Sequence, residues 1–387
     1  MLPLPGVSQK GSALPAEAVR YGIDRVDLQP LKGRRLGILA HQASVTTDLE
    51  YSFVKLKKAG LDLRVIFAPE HGLYSTAQDQ VAIEGGIEPI TGIPIVSLYP
   101  PNRWEKSILA ELDLLIIDIF DIGARYYTYL WSATELIEAA ANQKILILDR
   151  PNPIGRKVEG PIIEPDLFSF VGPYPIPIRH GMTPGELLSF LNERYLKKNL
   201  EVVPLEGWDG GYFQGIWIPP SPNIPSLSTA IVYPGACLIE GTNLSEGRGT
   251  TRPFEQIGAP WLDPMGVIEA VGTIDGARLR PVEFQPQFSK YEGEVCRGIF
   301  IHLLDREEFH PVFTYLKIIQ AIRKIHPEKF AWRSPPYEGV LDRLPFDLLI
   351  GRKEIREMIE QGVEVGEILN RFQGEEFLKL RRDYLIY

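Results

Sequence analysis

Val65-Ile-Phe-Ala-Pro-Glu-His-Gly72 joins an apolar, β-prone run to a carboxylate, an imidazole and a glycine. The pattern predicts a buried strand that ends at Pro69 and places Glu70 and His71 in the loop that follows. In open α/β sheets, ligands bind in the crevice outside the carboxyl ends of the strands. Loops are polar in most proteins, so Glu70 could equally be a solvated loop residue and His71 a packing residue.

Apolar runs alternate with helical patterns on both sides of this stretch. Strands are predicted at 36–40, 63–68, 94–99, 112–118, 144–149 and 201–205. Helices are predicted between them at 49–59, 128–141 and 183–197. Strands linked by helices pair in parallel through right-handed crossovers. The sequence therefore predicts an α/β fold with a Rossmann-like, doubly wound, mostly parallel sheet.

The pattern changes in the second half of the chain. Residues 207–260 are rich in Gly, Pro, Ser and Thr, which predicts an irregular segment, and interspersed aromatic and apolar residues favour an ordered one. The remainder mixes predicted strands and helices in an α+β pattern, with the clearest amphipathic helix at 311–325. We therefore expect a Rossmann-like catalytic domain over residues 1–258, a smaller C-terminal α+β domain over residues 259–387, and a cleft between them.

Composition and missing motifs exclude several classes of function. The 387 residues include 41 Lys and Arg against 50 Asp and Glu, a net charge of −9, which argues against nucleic acid as a partner. The two cysteines form no CxxC pair, and no HExxH spacing exists, so we expect no metal site. No GxGxxG follows the first predicted strand, and the sequence has no GxxxxGK[ST] motif or GxSxG elbow. We expect no cofactor.

The N-terminal sequence lacks the basic and apolar regions of a signal peptide, and no apolar run is long enough to span a membrane. We expect a cytoplasmic protein without a membrane partner. Export stays open if the chain was trimmed, and the oligomeric state is open.

Polar side chains cluster after the fourth predicted strand. Asp118, Asp121 and Arg125 lie within eight residues, and Tyr127 belongs to a group of tyrosines directly behind them. Arg125 suits bidentate binding of a ligand carboxylate. Either aspartate could instead cap the helix that follows.

A second polar cluster lies in the Gly-rich segment 240–252. Glu240, Asn243, Glu246 and Arg248 accompany several hydroxyl-bearing residues and glycines, a composition poorly suited to a core. Hydroxyl, amide and charged groups together suit sugar recognition. A solvated loop is the alternative. Glu70, partly walled by apolar residues, is the kind of carboxyl group that serves as a general acid.

Taken in order, six motifs resemble those of bacterial peptidoglycan exo-β-N-acetylmuramidases, long catalogued as an uncharacterised YbbC-like family. The resemblance covers roughly residues 20–387. The motifs are Pro69-Glu-His-Gly72, Asp118-Ile-Phe-Asp-Ile-Gly-Ala-Arg-Tyr-Tyr-Thr128, Leu148-Asp-Arg-Pro-Asn-Pro153, Pro220-Ser-Pro-Asn223, Glu240-Gly-Thr-Asn-Leu-Ser-Glu-Gly-Arg-Gly-Thr-Thr251 and Phe346-Asp-Leu-Leu-Ile-Gly351. One departure is Phe120, where the family pattern has a polar residue.

The resemblance implies a cofactor-free glycoside hydrolase of cell-wall turnover. Such an enzyme releases N-acetylmuramic acid (MurNAc) from the non-reducing ends of peptidoglycan fragments, so the expected partner is a small muropeptide or MurNAc-containing saccharide. The family's catalytic glutamate corresponds to Glu70, as acid/base. The remaining candidates fall into two groups: a second catalytic carboxylate among Asp118, Glu240 and Glu246, and substrate-binding residues His71, Asp121, Arg125, Tyr127, Asn223, Asn243 and Arg248.

Several points stay open on the sequence alone. Either Arg125 or Arg248 is expected to hold the lactyl carboxylate of the muramyl residue. The mechanism could be retaining, inverting or substrate-assisted, because the separation of the carboxylates is unknown. A non-catalytic binder of cell-wall sugars, or a nucleotide-sugar or phosphate-handling enzyme on the same sheet, are the alternative functions.

Overall fold

The computed structural model describes residues 19–372 and 374–387. Our expectation about a signal peptide concerns the first residues of the chain, which lie outside this range. In the described part, no helix combines the length and apolarity that crossing a membrane would require.

Strands and helices alternate along the first half of the chain, as the sequence predicts. The strands are β1 (Arg35–Leu39), β2 (Asp62–Ala68), β3 (Gly86–Ile87), β4 (Pro94–Ser97), β5 (Leu114–Ile117), β6 (Lys144–Leu148), β7 (Glu159–Ile162), β8 (Pro177–Arg179), β9 (Leu200–Val203), β10 (Gln256–Ala259), β11 (Ala277–Phe284) and β12 (Cys296–Leu303). The helices are α1 (Gly22–Arg25), α2 (Ser52–Lys58), α3 (Tyr129–Ala139), α4 (Pro184–Leu191), α5 (Leu227–Ala236), α6 (Pro264–Val271), α7 (Pro311–Ile325), α8 (Pro345–Ile350), α9 (Lys353–Glu360), α10 (Val365–Arg371) and α11 (Glu375–Arg381).

The main sheet of the described residues has seven strands in the order β3-β4-β2-β1-β5-β6-β9. All neighbouring pairs are parallel except β3 and β4, which are antiparallel. The strand order reverses between β1 and β5, as in the Rossmann arrangement. β5 is apolar and buried along its whole length, as is typical of a central parallel strand whose two faces are both covered. The predicted α/β, doubly wound fold is confirmed.

The C-terminal part of the described chain contains a three-stranded antiparallel sheet in the order β10-β12-β11, against which α6 packs. This agrees with the predicted smaller α+β unit. Part of the segment predicted as irregular is regular, since it contains α5, a 3-10 turn at Cys237–Gly241 and β10. α5 packs on α7 and so joins the Gly-rich segment to the C-terminal helices. The domain boundary at 258/259 stays a prediction.

The crevice between β1 and β5 is filled by the chain's own side chains. Arg150, which follows β6, binds both carboxylate oxygens of Asp118 (Nε–Oδ1 2.5 Å, Nη2–Oδ2 2.9 Å) and donates to the Val45 carbonyl at 2.9 Å. His41 Nε2 accepts from the backbone N–H of Phe120 at 3.0 Å, and burial lowers the pKa of His41 to about 3. A ligand here would have to disrupt a buried ion pair. The open cleft lies beside it, at the loops after β2 and before α3.

Candidate active site

Glu70 is buried where the chain leaves β2, and both of its carboxylate oxygens accept hydrogen bonds. The hydroxyl of Thr128, directly before α3, donates to Oε2 at 2.7 Å, and the backbone N–H of Gln80 donates to Oε1 at 3.2 Å. These two donors fix the orientation of the carboxylate. The predicted position of Glu70, in a loop at the carboxyl end of a buried strand, is confirmed.

His71 and Gly72 turn the chain sharply after Glu70. Both have positive φ values, 70° and 80°, a conformation that is uncommon for a residue with a side chain. His71 Nδ1 lies 3.0 Å from the carbonyl oxygen of Ala77. Because a carbonyl oxygen can only accept, Nδ1 carries the hydrogen, and Nε2 is the ring atom left for a ligand.

The loop after His71 is tied to the segment that contains Asn223. Ser75 Oγ donates to the Pro220 carbonyl at 2.7 Å, and Asn223 Nδ2 donates to Gln78 Oε1 at 2.8 Å. These bonds bring two of the sequence motifs, far apart in the chain, to the same wall of the cleft.

Arg248 connects this loop to the Gly-rich segment. Its guanidinium lies 3.1 Å from Asp79 Oδ1 through Nη1 and 2.8 Å from Glu240 Oε1 through Nη2. The Tyr337 hydroxyl donates to Glu240 Oε2 at 2.8 Å. Burial by itself would raise the pKa of Glu240, but Arg248 and the Tyr337 hydrogen bond bring it below its ordinary value. Glu240 is therefore held as a carboxylate.

These segments line a narrow cleft that is partly open to solvent. Its lining combines carboxylates, hydroxyls and a few apolar side chains from both halves of the chain. The residues are Glu70, His71, Asp79, Tyr126, Tyr127, Thr128, Val171, Ser221, Asn223, Ile224, Tyr233, Glu240, Arg248, Phe254, Tyr337 and Glu338.

Glu338 is a functional candidate that the sequence analysis missed. It lies in a tight turn in which Tyr337 and Val340 exchange backbone hydrogen bonds at 3.0 and 2.9 Å. Its φ is 45° and that of Gly339 is 77°, so two successive residues are left-handed. Burial, together with the negative charge of Glu70 and other nearby carboxylates, raises the pKa of Glu338 to about 8. Gly339 was the available sequence signal, but it indicates only a turn with a positive φ value and not a site.

Six predicted site residues line the cleft. They are Glu70, His71, Tyr127, Asn223, Glu240 and Arg248. Tyr126 of the same tyrosine group also reaches it, whereas Tyr129 is buried behind it and donates to the Pro220 carbonyl at 2.8 Å.

Arg125 is fully buried outside the cleft lining. Nη1 donates to the carbonyls of Pro161 (2.9 Å) and Ile176 (3.0 Å), and Nη2 donates to that of Leu349 (2.6 Å). Burial lowers the pKa of Arg125 to about 10. The guanidinium joins three chain segments and does not face a substrate, so this geometry corrects our expectation that Arg125 binds the lactyl carboxylate.

Asp118 and Glu246, both predicted as second catalytic carboxylates, also lie outside the cleft lining. Asp118 is neutralised by Arg150 in the filled crevice. Glu246 lies 3.0 Å from Lys290 Nζ and 3.4 Å from Arg248 Nε. Each is bound by a cation within the protein, and this environment favours a structural role over a catalytic one.

Asp121 and Asn243 hold backbone segments in place. Asp121 Oδ2 accepts from the backbone N–H of Gly123 at 2.7 Å and lies 3.7 Å from His180 Nε2. Asn243 donates to the Lys329 carbonyl and accepts from the backbone N–H of Ala331. Both residues lie outside the cleft lining, and their expected binding of substrate stays a prediction.

Phe120 packs edge-to-face against Phe213 and Trp217, with ring centroids 5.4 and 5.8 Å away. The residue that departs from the family pattern is therefore part of an aromatic cluster. Among the residues that the structure describes, no three His, Cys, Asp or Glu side chains are arranged to hold a metal ion.

The chain matches the family description "Exo-beta-N-acetylmuramidase NamZ, N-terminal" over residues 36–228 and its C-terminal counterpart over residues 231–387. The chain belongs to the NamZ exo-β-N-acetylmuramidase family. The two NamZ matches meet at residues 228–231, N-terminal to the boundary that we expected. The polar clusters at 118–127 and 240–252 therefore both fall inside the family matches.

Relatives agree with this assignment to the NamZ family. The chain is 39% identical to the peptidoglycan β-N-acetylmuramidase NamZ of Bacillus subtilis (strain 168) over 386 residues, which cover 95% of this chain and 91% of that protein. Two crystal structures of DUF1343 family proteins from Bacteroides fragilis NCTC 9343 are similar in fold. One has a TM-score of 0.85 at 29% identity, covering 96% of this chain and 100% of the other. The second has a TM-score of 0.76 at 31% identity, with 96% and 99% covered.

Proposed function

We propose that this chain is a glycoside hydrolase that releases MurNAc from the non-reducing ends of peptidoglycan fragments, with Glu70 as its acid/base carboxylate. The observation that carries the proposal is the position of Glu70. It is held by Thr128 and Gln80 in a cleft whose lining comes from both halves of a chain that belongs to the NamZ family. The Bacillus relative is named as a peptidoglycan β-N-acetylmuramidase, which supports the same substrate class.

The cleft has the chemistry of a sugar site. Its tyrosine, serine and threonine hydroxyls and the amide of Asn223 suit the hydroxyl and acetamido groups of an amino sugar. The filled crevice at β1 and β5 disfavours the alternative of a nucleotide or phosphate ligand there.

Arg248 is the candidate for the lactyl carboxylate that distinguishes MurNAc from N-acetylglucosamine. Among the described residues that line the cleft, Arg248 is the only arginine, and none is a lysine. Its Nη2 is bound to buried Glu240, whereas its Nη1 is bound to Asp79, whose side chain is 29% exposed. A substrate carboxylate would therefore replace Asp79 at Nη1.

Replacement of the proposed acid/base carboxylate tests the function. Glu70→Gln keeps the shape and the hydrogen-bond acceptor at one oxygen but cannot exchange a proton in the same pH range. A positioned acid or base contributes about 10²–10⁴-fold to the rate, so we expect kcat for MurNAc release from a MurNAc–GlcNAc disaccharide to fall by that factor. Glu84→Gln, at an exposed position of the same loop region, is the matched control and should retain full activity.

Two results would contradict the proposal in different ways. If Glu70→Gln keeps a kcat close to that of the wild type, the role of Glu70 is structural. Tight binding of the disaccharide by the wild-type chain without any release of MurNAc would instead favour the non-catalytic binder. The cytoplasmic location expected from the sequence belongs to the same proposal, and fractionation of the producing cell tests it.

A further inference from the structure

Glycoside hydrolysis generally needs two carboxyl groups, one to protonate the leaving oxygen and one to act at the sugar carbon. Only one of the second groups expected from the sequence, Glu240, lines the cleft, and both of its oxygens are engaged by Arg248 and Tyr337. A carboxylate held by a guanidinium is a poor proton donor, because the neighbouring cation favours the ionised form. The cleft therefore requires another partner for Glu70.

Glu338 has the environment that such a partner needs. It lines the same cleft as Glu70 but comes from the C-terminal half of the chain. In the described residues its carboxylate makes no ion pair, and it accepts one long hydrogen bond, from the Tyr99 hydroxyl to Oε2 at 3.5 Å. The side chain is thus free to contact a ligand between the two halves.

The backbone at Glu338 also points to function. A residue with a side chain at positive φ is uncommon, and such strained positions concentrate at active sites and ligand clamps. Here the turn from Tyr337 to Val340 holds Glu338 in this conformation, while the neighbouring Tyr337 hydroxyl is bound to Glu240. The turn is therefore anchored to the Gly-rich segment on one side of the cleft.

We propose that Glu338 is the proton donor to the glycosidic oxygen and that Glu70 is the carboxylate that acts at the anomeric carbon. This assignment rests on the proposed muramidase function and divides its acid/base work between two residues. The bond from the anomeric carbon to the glycosidic oxygen breaks, its electron pair stays on that oxygen, and the Glu338 proton moves there. Water completes the reaction: its hydroxyl bonds to the anomeric carbon, and its remaining proton goes to Glu338, which regains its protonated form.

The charges around the two residues favour this division. Burial and the surrounding negative charges raise the pKa of Glu338 to about 8, so the group is protonated at neutral pH. Glu70 accepts from an O–H and an N–H donor, a pattern suited to a carboxylate. The titratable and charged groups that face Glu338 are Glu70, Asp79, Tyr99, Glu240, Arg248 and Tyr337.

Leaving-group dependence tests the assignment with the full chain. An activated 4-nitrophenyl MurNAc glycoside needs no protonation of its leaving group, whereas a MurNAc–GlcNAc disaccharide does. We expect Glu338→Gln to lower kcat/KM about 10²–10⁴-fold on the disaccharide and less than about tenfold on the aryl glycoside. We expect Glu70→Gln to lower both. Asp342→Asn, an exposed carboxylate close by in the same segment, is the matched control and should change neither.

The pH profile gives a second readout that a structural role would not affect. Because the protonated form of Glu338 is the donor, wild-type kcat/KM on the disaccharide should fall as pH rises through about 8. Glu338→Gln should lose this decline. Glu338→Asp keeps an acid at a position where aspartate tolerates positive φ, and should keep both a decline at basic pH and more activity than Gln.

Three results for Glu338→Gln would each overturn the assignment. They are equal losses of kcat/KM on the two substrates, full activity on the disaccharide, and a decline of kcat/KM at basic pH like that of the wild type. If Glu338→Gln fails to fold, the Asp variant decides, because an Asp variant without a basic decline would also overturn it. A wild-type chain that hydrolyses neither substrate would overturn the proposed function itself, which separates the two failures.

Discussion

The Arg248 guanidinium holds two carboxylates of unequal exposure. Glu240 is buried and receives a second hydrogen bond from Tyr337, whereas Asp79 lies at the rim with its side chain 29% exposed. Exposed ion pairs contribute little stability, typically about 0–1 kcal/mol. A substrate carboxylate can therefore replace Asp79 far more readily than Glu240.

This difference predicts opposite effects of two substitutions on sugar preference. Arg248→Ala removes the cation, and losing a charge-assisted hydrogen bond costs about 1.5–3 kcal/mol. We expect it to lower the ratio of kcat/KM for aryl MurNAc to that for aryl N-acetylglucosaminide by about 10- to 100-fold. Asp79→Asn removes the competing charge from Nη1 and should raise the same ratio.

The pair of variants separates two roles of Arg248. Equal losses on both sugars for Arg248→Ala, with no change of preference for Asp79→Asn, would mean that Arg248 only positions Glu240. Glu84→Gln again serves as the control, because its exposed carboxylate makes no contact with Arg248 in the described residues.

At the residue scale, the sequence predicted which segments supply the site better than which side chains face it. Glu70 follows directly from its position after β2. Arg125 and Asp118 are polar residues of the β5–α3 loop, which also supplies residues to the cleft. Their own partners, the Leu349 carbonyl and Arg150, come from distant segments. Glu338 was missed because nothing within its own segment shows that Glu70 lies across the same cleft. Such roles depend on tertiary contacts that no local pattern contains.

Glu159 of β7 caps a helix that begins more than 150 residues later in the chain. Its Oε1 accepts from the backbone N–H of Phe313 at 3.0 Å, in the first turn of α7, whose own N-cap residue makes no side-chain cap. Oε2 is buried without a hydrogen-bond partner in the described residues. Burial raises the pKa of Glu159 to about 7, even though Phe313 and Arg179 act to lower it.

The raised pKa predicts how the stability of the cap depends on pH. The folded state binds the Glu159 proton more tightly than the unfolded state, so this favourable contribution is complete below the ordinary glutamate pKa. It is lost as pH rises through about 7. Relative to Glu159→Gln, the wild-type free energy of unfolding should therefore decrease between about pH 4.5 and 7. With about 1.4 kcal/mol per pKa unit, the change should be about 1–3 kcal/mol.

Denaturant unfolding of both proteins across this pH range measures the effect. Exposed Glu294→Gln is the control and should show no difference that changes over the same interval. A difference between wild type and Glu159→Gln that stays constant with pH would mean that Glu159 titrates normally.

At the element scale, periodicity predicted the regular segments and missed those that depend on packing. α7 was expected at 311–325 and spans Pro311–Ile325, because an amphipathic pattern specifies its own helix. α5 was expected to be irregular, since Leu227–Ala236 contains Ser, Thr, β-branched residues, Pro and Gly. It is helical because it is buried against α7, and tertiary contacts override weak propensity.

At the scale of the whole molecule, negative charge exceeds positive charge both overall and in the cleft. The chain carries a net charge of −9. The described cleft lining contains four carboxyl groups, Glu70, Asp79, Glu240 and Glu338, against one guanidinium, Arg248. Even with Glu338 protonated, the cleft repels an approaching anion, and MurNAc carries a lactyl carboxylate.

This repulsion predicts that salt assists the reaction on the natural sugar. The Debye length falls from about 30 Å at 0.01 M to about 8 Å at 0.15 M ionic strength. We expect kcat/KM for aryl MurNAc to rise by about twofold or more over this interval, since screening weakens the long-range field. The methyl ester of the same substrate is neutral and should not respond. A decrease with salt for the acid would mean that a positive surface attracts the substrate.

The Asp118–Arg150 pair has a consequence for how the molecule folds and unfolds. Asp118 and Arg150 follow β5 and β6, in one half of the sheet, whereas the Val45 carbonyl follows β1, so Arg150 reaches Val45 only when the two halves have docked between β1 and β5. Contacts made after the folding transition state slow unfolding without speeding folding. We expect the Arg150–Val45 contact, which joins the two halves of the sheet, to belong to this class and so to lengthen the lifetime of the folded protein.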